Sequence, residues 1–337
     1  MIAAALNQPW WIDVPKAIVI ISLFLGVVAY LTWLERKLLG RMQLRYGPNR
    51  AGPFGLLQPI ADLMKMVRKE AFAPTAAIDV LYIASPFMAA FTALVTFSVI
   101  PWGPGWTIFG ETVTGYVADI PIALVFMFAI GSLGVYGFIV GGWSSDSKFS
   151  LLGSMRTCAQ LVSYEVSLAL SVLGVVIMAG SLSLTEIVAA QDAEIWYVLP
   201  QFVGFLVFFL AGLAETARAP FDLPEAEQEL VAGYHTEYGG MRFGLFSMAE
   251  YINLITLSAL CVTLFIGGWH GPEWFWELSG PVWFIVKLFA LLFVFIWIRT
   301  TLPRLRYDQL MRFGWKVLLP VTTANAVVTA ALVVAID

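Results

Sequence analysis

Eight stretches of this chain are apolar for long enough to cross a membrane, and that pattern limits its fold more than any other feature. They run roughly over 14–34, 80–100, 120–140, 157–179, 195–213, 243–267, 281–298 and 317–336. A helix rises 1.5 Å per residue, so ~20 apolar residues cross ~30 Å of hydrocarbon. Composition agrees. Of 337 residues, 60% are hydrophobic and 12% charged, and the mean hydropathy is +0.82. A soluble domain carries about 25% charged residues, so this chain lacks the polar surface for a water-soluble shell. The first stretch is too long for a cleavable signal, and no small-residue cleavage site follows it. The expected fold is all-α: one polytopic membrane domain over 1–337, with about eight transmembrane helices plus interfacial amphipathic helices.

The basic residues set the expected orientation. All but Lys16 and Lys287 of the 19 Lys and Arg residues fall in connections 35–79, 141–156, 214–242 and 299–316. Connections 101–119, 180–194 and 268–280 hold none. The positive-inside rule then places the four basic connections in the cytoplasm and both termini on the periplasmic side of a bacterial inner membrane.

Several chemistries are excluded. A net charge of −4 and a pI near 5.3 argue against nucleic-acid binding. The two cysteines, Cys158 and Cys261, cannot supply a four-thiolate iron–sulfur site or a zinc ribbon. His235 and His270 lie outside the apolar runs, which removes a bis-histidine haem inside the bilayer. There is no Walker A motif and no GxGxxG after a strand. The expectation is that this chain binds no metal or flavin and carries no redox centre of its own.

The longest basic connection contains a helical stripe. Leu56, Ile60, Leu63 and Val67 recur at helical spacing, joined by Leu57 and Met64, while Gln58, Asp62, Lys65 and Lys69 fall elsewhere on the wheel. Such a helix lies in the membrane interface with its apolar face down. It is either a simple anchor or one side of an opening for a lipid-soluble molecule. Connection 214–242 is acidic. Asp222 and Glu225 have capping-box spacing, and with Glu229 they would share one helical face, facing solvent, a partner subunit or an aqueous cavity.

Charge within the spans is informative because it costs ~2.5–3.5 kcal/mol at mid-bilayer. Glu165 lies in the fourth span and Glu250 in the sixth, while Glu35 and Glu215 sit at the cytoplasmic ends of the first and fifth. By helical rise, Glu165 is ~12 Å and Glu250 ~10 Å in from that side. Acids so placed face a bundle interior or a wet cavity; the bland alternative is a set of polar staples between helices. Gln160, Ser163, Tyr164, Tyr251 and Asn253 lie beside them and could supply hydrogen bonds or a water chain. In the outer half only Lys287 is charged, and its stem could snorkel outward. Polar inside and dry outside describes a half-channel rather than a complete pore.

Longer motifs carry a resemblance. Glu35-Arg-Lys-Leu-Leu-Gly40, Met42-Gln-Leu-Arg45, Gly47-Pro-Asn49, Gly55-Leu-Leu-Gln-Pro59, Ala159-Gln-Leu-Val-Ser-Tyr-Glu165, Glu215-Thr-Ala-Arg-Ala-Pro-Phe-Asp222 and Met248-Ala-Glu-Tyr251 resemble, in order, the H-subunit family of proton-pumping NADH:quinone oxidoreductase. This is respiratory complex I, with mitochondrial subunit 1 as counterpart. The resemblance covers about residues 14 to 320. It implies the membrane part of a quinone chamber, quinone (ubiquinone favoured) as substrate, and a link between quinone reduction and proton translocation. It implies as partners the adjacent membrane-arm subunits, the quinone-site subunits of the peripheral arm, and membrane lipid.

Carried over residue by residue, the resemblance assigns Glu165, Glu215, Glu250, Asp222, Glu225 and Glu227 to a proton pathway. Glu35, Arg36, Arg45, Leu57, Ala61, Asp62, Phe221 and Arg299 belong to the quinone chamber and entrance. By the same resemblance Arg36, Arg45, Arg218, Arg299 and Arg304 are expected to hold loops and partners in place by bidentate pairing. Two other readings stay open: the membrane subunit of a related energy-converting hydrogenase, and a stand-alone ion transporter. A transporter is expected to show inverted repeats and broken spans near the midplane, and neither is visible.

Overall fold

A computed structural model describes residues 10–108, 111–193, 195–223, 227–272 and 279–336. Helices make up most of it. In chain order they are α1 (Trp10–Met42), α2 (Gln58–Arg68), α3 (Asp79–Phe97), α4 (Ala123–Ser144), α5 (Lys148–Ala179) and α6 (Leu184–Ala193). There follow α7 (Phe202–Glu215), α8 (Glu227–Leu230), α9 (Gly240–Phe265), α10 (Ser279–Thr301), α11 (Tyr307–Phe313) and α12 (Leu319–Ile336). A two-stranded antiparallel ribbon, β1 (Trp106–Ile108) and β2 (Glu111–Val113), is the exception.

Seven helical segments are long and apolar enough to cross a membrane, the last running unbroken from α11 through a π-helical turn at Gly314–Leu318 into α12. The eighth apolar stretch differs from expectation. A span over 195–213 is predicted, yet α7 starts only at Phe202 and has 14 residues, ~21 Å of rise. Pro200 disfavours helical backbone at Leu199. The segment before it turns and is held from outside: Val198 N–H donates to the Phe265 carbonyl at 2.8 Å, and Tyr197 N–H to the Gln191 side chain at 3.3 Å.

Small residues let the helices meet closely, as they do where lipid supplies no hydrophobic drive. On α4, a Cβ at Gly137 would fall 2.9 Å from that of Ala89 on α3, and one at Gly141 would lie 3.0 Å from the Phe246 ring of α9. Helix α9 is central; Ala249, Ile252, Val262 and Leu264 are wholly buried. Polar staples tie α7 to α12, where Gln201 accepts from Asn325 Nδ2 and donates to Thr329 Oγ1, each at 2.8 Å.

Helix α2 has the amphipathic character read from its sequence. Leu57, Ile60, Leu63, Met64 and Val67 are all about half-exposed, forming a continuous apolar stripe. The helix packs against both α1 and α9. Its register to α1 is fixed by Arg36 Nη1, which donates to Asp62 Oδ2 at 2.7 Å, and by Trp33 Nε1, which donates to the Phe54 carbonyl at 3.2 Å.

Lys287 does not snorkel. Its ammonium donates to the carbonyls of Ile266 (2.6 Å), Gly268 (3.1 Å) and His270 (2.5 Å) and lies 4.3 Å from the Trp196 ring centroid. Three donors meet three carbonyls of the turn that follows α9. Lys287→Met should therefore destabilise the outer end of α9 by about 1–3 kcal/mol for each carbonyl left dry, seen as faster amide exchange over 262–270. Exchange equal to wild type would show that water replaces the ammonium.

Candidate functional site

The buried charges gather between α1, α4, α5, α7, α9 and α10. Glu35 is 4% exposed at its side chain, and its carboxylate receives three donors. Arg218 Nη1 lies 3.1 Å from Oε1, Tyr251 OH donates to Oε2 at 2.7 Å, and Arg299 Nη1 also pairs with Oε1. Arg218, 11% exposed, reaches on to Glu250 with Nη2 3.9 Å from Oε2. Its guanidinium also stacks 4.2 Å from the Tyr251 ring centroid. Burial works against the charge of Arg218, but Tyr251, Glu35 and Glu250 around it outweigh that and hold it firmly protonated. Glu250 takes a further hydrogen bond, 2.5 Å, from Tyr234 OH.

The loop carrying Arg218 is set by α5. Gln160 Nε2 donates to the Ala214 carbonyl at the end of α7 (2.7 Å) and to that of Phe221 (2.8 Å), clamping both ends of the loop to one side chain. Tyr164 OH donates to the Leu310 carbonyl at 2.8 Å, and Ser163 receives Trp315 Nε1 at 3.2 Å. Of the two roles open to these α5 groups in the sequence, hydrogen bonding or a water chain, the first is the one they fill here.

Three small cavities follow one another through the bundle. The first, about 110 Å³, is lined by Arg218, Asp222, Ser247, Glu250, Tyr251 and Arg299. The second, about 30 Å³, shares Glu250 and Ala217 with it and adds Glu215, Asn253 and Tyr234. The third, about 70 Å³, shares Glu215, Asn253 and Gly131 with the second and ends at Glu165. Each has room for at least one water. Glu215 Oε2 is buried with no hydrogen-bond partner, and so is Thr256 Oγ1 on the third cavity. A dry ionised carboxylate without a partner is costly, so Glu215 calls for a proton or a water. Glu165 is held by the Ser132 hydroxyl of α4.

Of the residues singled out in the sequence, Asp222, Glu250, Glu215 and Glu165 thus line one succession of cavities. Glu35 and Arg299 form the ion cluster at its start. Arg36 and Asp62 pair where α1 meets α2, and Leu57 and Ala61 lie exposed beside and on α2. Arg45 stays apart, exposed and donating to Gln43 Oε1 at 2.8 Å. Phe221 is buried against Tyr164, ring centroids 5.9 Å apart, and lines none of the three cavities. Glu225 and the side chain of Glu227 lie outside the described residues.

The single acidic face expected for Asp222, Glu225 and Glu229 does not form between the two described members. Helix α8 is one turn, Glu227–Leu230. Asp222 lines the first cavity, while Glu229 pairs with Arg156 at 2.6 Å and Arg304 at 3.6 Å. Arginines on α5 and after α10 compete for this carboxylate, and the Arg156 hydrogen bond in particular holds it below the usual carboxylate range. Sequence reasoning missed Ser132 and Tyr234, whose hydroxyls complete the site; nothing distinguishes them in the chain from other polar residues near the spans.

Helices long and apolar enough to span a membrane, enclosing a row of carboxylates joined by water-sized cavities, define a polytopic helical membrane protein. The chain matches the family described as NADH dehydrogenase over residues 15–330 and belongs to it. Its relatives are H-subunits of NADH-quinone oxidoreductase. It is 51% identical over 320 residues to the one numbered 2 in Syntrophobacter fumaroxidans, covering 95% of each chain. It is 53% identical to the one numbered 1 in Geobacter metallireducens, covering 94% of this chain and 95% of that one. It is 47% identical to the H-subunit of Rhodospirillum rubrum, covering 98% and 96%.

Proposed function

We propose that the chain is the membrane subunit of a bacterial NADH:quinone oxidoreductase that forms the membrane part of the quinone chamber and passes protons between that chamber and the membrane arm. The observation that carries this reading is the succession of cavities from Arg299 and Asp222 through Glu250 and Glu215 to Glu165. A row of titratable groups with water between them can relay protons, whereas packing staples need no cavities. The quinone enters from lipid where α1, α2 and α9 meet, since α2 packs on both helices and turns its apolar stripe outward. The four basic connections face the cytoplasm, toward the peripheral arm, and both termini face the periplasm. Adjacent membrane-arm subunits cover exposed apolar flanks of the bundle.

Within the chamber this chain binds and orients rather than oxidises. Arg218 and Arg299 keep Glu35 ionised and fixed, and the same arginines supply positive potential beside Asp222 and Glu250. A reduced, negatively charged quinone in the adjoining chamber raises the proton affinity of these carboxylates. The protons it draws come through the buried row.

The entrance is testable by bulk. Leu57→Trp or Ala61→Phe should slow reduction of long-tailed quinones several-fold while leaving short-tailed analogues near wild type. Equal slowing of both would rule out an entrance at this helix.

A further inference from the structure

Hydroxyl side chains inside a helix commonly donate to the carbonyl one turn back. On α9, Ser258 Oγ donates to the Leu254 carbonyl and Thr263 Oγ1 to that of Ala259, each at 2.8 Å. Thr96, which lines the third cavity from α3, donates to the Thr92 carbonyl at 2.8 Å. Thr256 departs from this habit. It is 3% exposed and lines the third cavity, and its Oγ1 has no hydrogen-bond partner among the described residues. A buried hydroxyl left unpaired costs free energy. Glu215, with one carboxylate oxygen in the same condition, lines the same cavity.

The cavity, about 70 Å³, has room for several waters. Room alone does not wet it, because cavities with apolar walls stay dry. Met127, Phe128, Leu168, Leu257 and Leu260 make much of this wall apolar. A buried water needs roughly two to four polar partners. Thr256 and Asn253, one turn apart on α9, provide such partners between Glu215 and Glu165.

We propose that the Thr256 hydroxyl seats a water beside Glu215, and that the proton passing from Glu215 toward Glu165 crosses on this water. Thr256 donates to the water oxygen. The O–H bond of protonated Glu215 breaks as a new one forms on the water, and the water gives up a different proton toward Glu165. Glu215 ends as a carboxylate, the water is restored, and Thr256 keeps its own proton throughout. Thr256 is thus a positioning residue. The proposal rests on the reading of the buried row as a proton path, and adds the group that wets its last cavity.

A density map of the wild-type complex that resolves ordered waters tests it without any variant. A water should stand about 3 Å from both Thr256 Oγ1 and a Glu215 oxygen. Ordered waters elsewhere in the row with none at Thr256, or a Thr256 hydroxyl turned back onto its own helix, would overturn the proposal. Proton pumping in sealed vesicles gives the second test. Thr256→Val keeps the shape and removes the hydroxyl. It should assemble as wild type does, judged by NADH oxidation with an artificial acceptor. Its pumping should be about tenfold slower, the equivalent of one lost hydrogen bond of ~1.4 kcal/mol. Thr256→Ser should restore most of the rate, and Ser258→Ala, whose hydroxyl serves its own helix, should pump normally. A loss that Thr256→Ser fails to restore would mean that the shape of threonine matters and the hydroxyl does not, against the proposal. Full pumping in Thr256→Val where Glu215→Gln has lost it would overturn the water site and leave the proton row standing. Full pumping in Glu215→Gln as well would overturn the row, and this proposal with it.

Discussion

Arg218→Met should nearly abolish quinone reductase activity and sharply reduce the amount of assembled complex. Methionine keeps much of the length and packing of arginine but removes the charge shared by Glu35 and Glu250. Glu35 would keep Arg299 and Tyr251, but Glu250 would be left with the Tyr234 hydrogen bond and no ion pair within 4 Å among the described residues. Removing one partner of a buried ion pair costs about 3–5 kcal/mol, because the other charge is left uncompensated. Arg218 is 11% exposed and Glu250 14%, so solvent screens little of this. The loss could be relieved by removing the stranded charge. Arg218→Met with Glu250→Gln should therefore recover assembly, measured by native gel and by NADH oxidation with an artificial acceptor. It should not recover proton pumping. If the single variant assembles and reduces quinone normally, the ion cluster has no part in assembly or in the reaction.

Glu215→Gln should uncouple or stop the enzyme while leaving the fold intact. Gln keeps the size and hydrogen-bonding capacity of Glu and cannot carry the proton. Glu215 stands where two cavities meet, with one carboxylate oxygen buried and unpartnered, so the amide disturbs no existing hydrogen bond at that oxygen. Glu165→Gln interrupts the far end of the same row, where Ser132 donates to the carboxylate, and a Gln oxygen can still accept that bond. Pumping and quinone reduction measured together in sealed vesicles should show pumping lost in both variants. The two carboxylates stand in series at opposite ends of the third cavity, so the losses should not add. Full pumping in both would make these carboxylates packing residues.

Span positions are legible in the sequence because hydrocarbon thickness dictates run length, and the acids are legible because a carboxylate inside an apolar run is rare and costly. The boundary of α7 is not. A hydropathy window continues through Trp196–Pro200, while the backbone turns there and bonds to α6 and the end of α9. Lys287 misleads because a snorkelling stem and a carbonyl-bound ammonium look identical in sequence. The partnerships of Glu35 are hidden by distance along the chain. Arg218 lies 183 positions away and Arg299 264, and only the packing of α1 beside α9 and α10 brings them together. The spacing of the acidic loop fits one helical face. The structure gives a single described turn, with arginines from two other elements drawing Glu229 away from Asp222.

The central claim is that the buried carboxylates exchange protons when quinone is reduced nearby. Infrared difference spectroscopy of the complex, recorded as NADH reduces bound quinone, reads those protons directly. A carboxylic-acid carbonyl band should appear or shift on reduction, move in heavy water, and be lost in Glu215→Gln. A difference spectrum in that region identical between wild type and Glu215→Gln would contradict the claim.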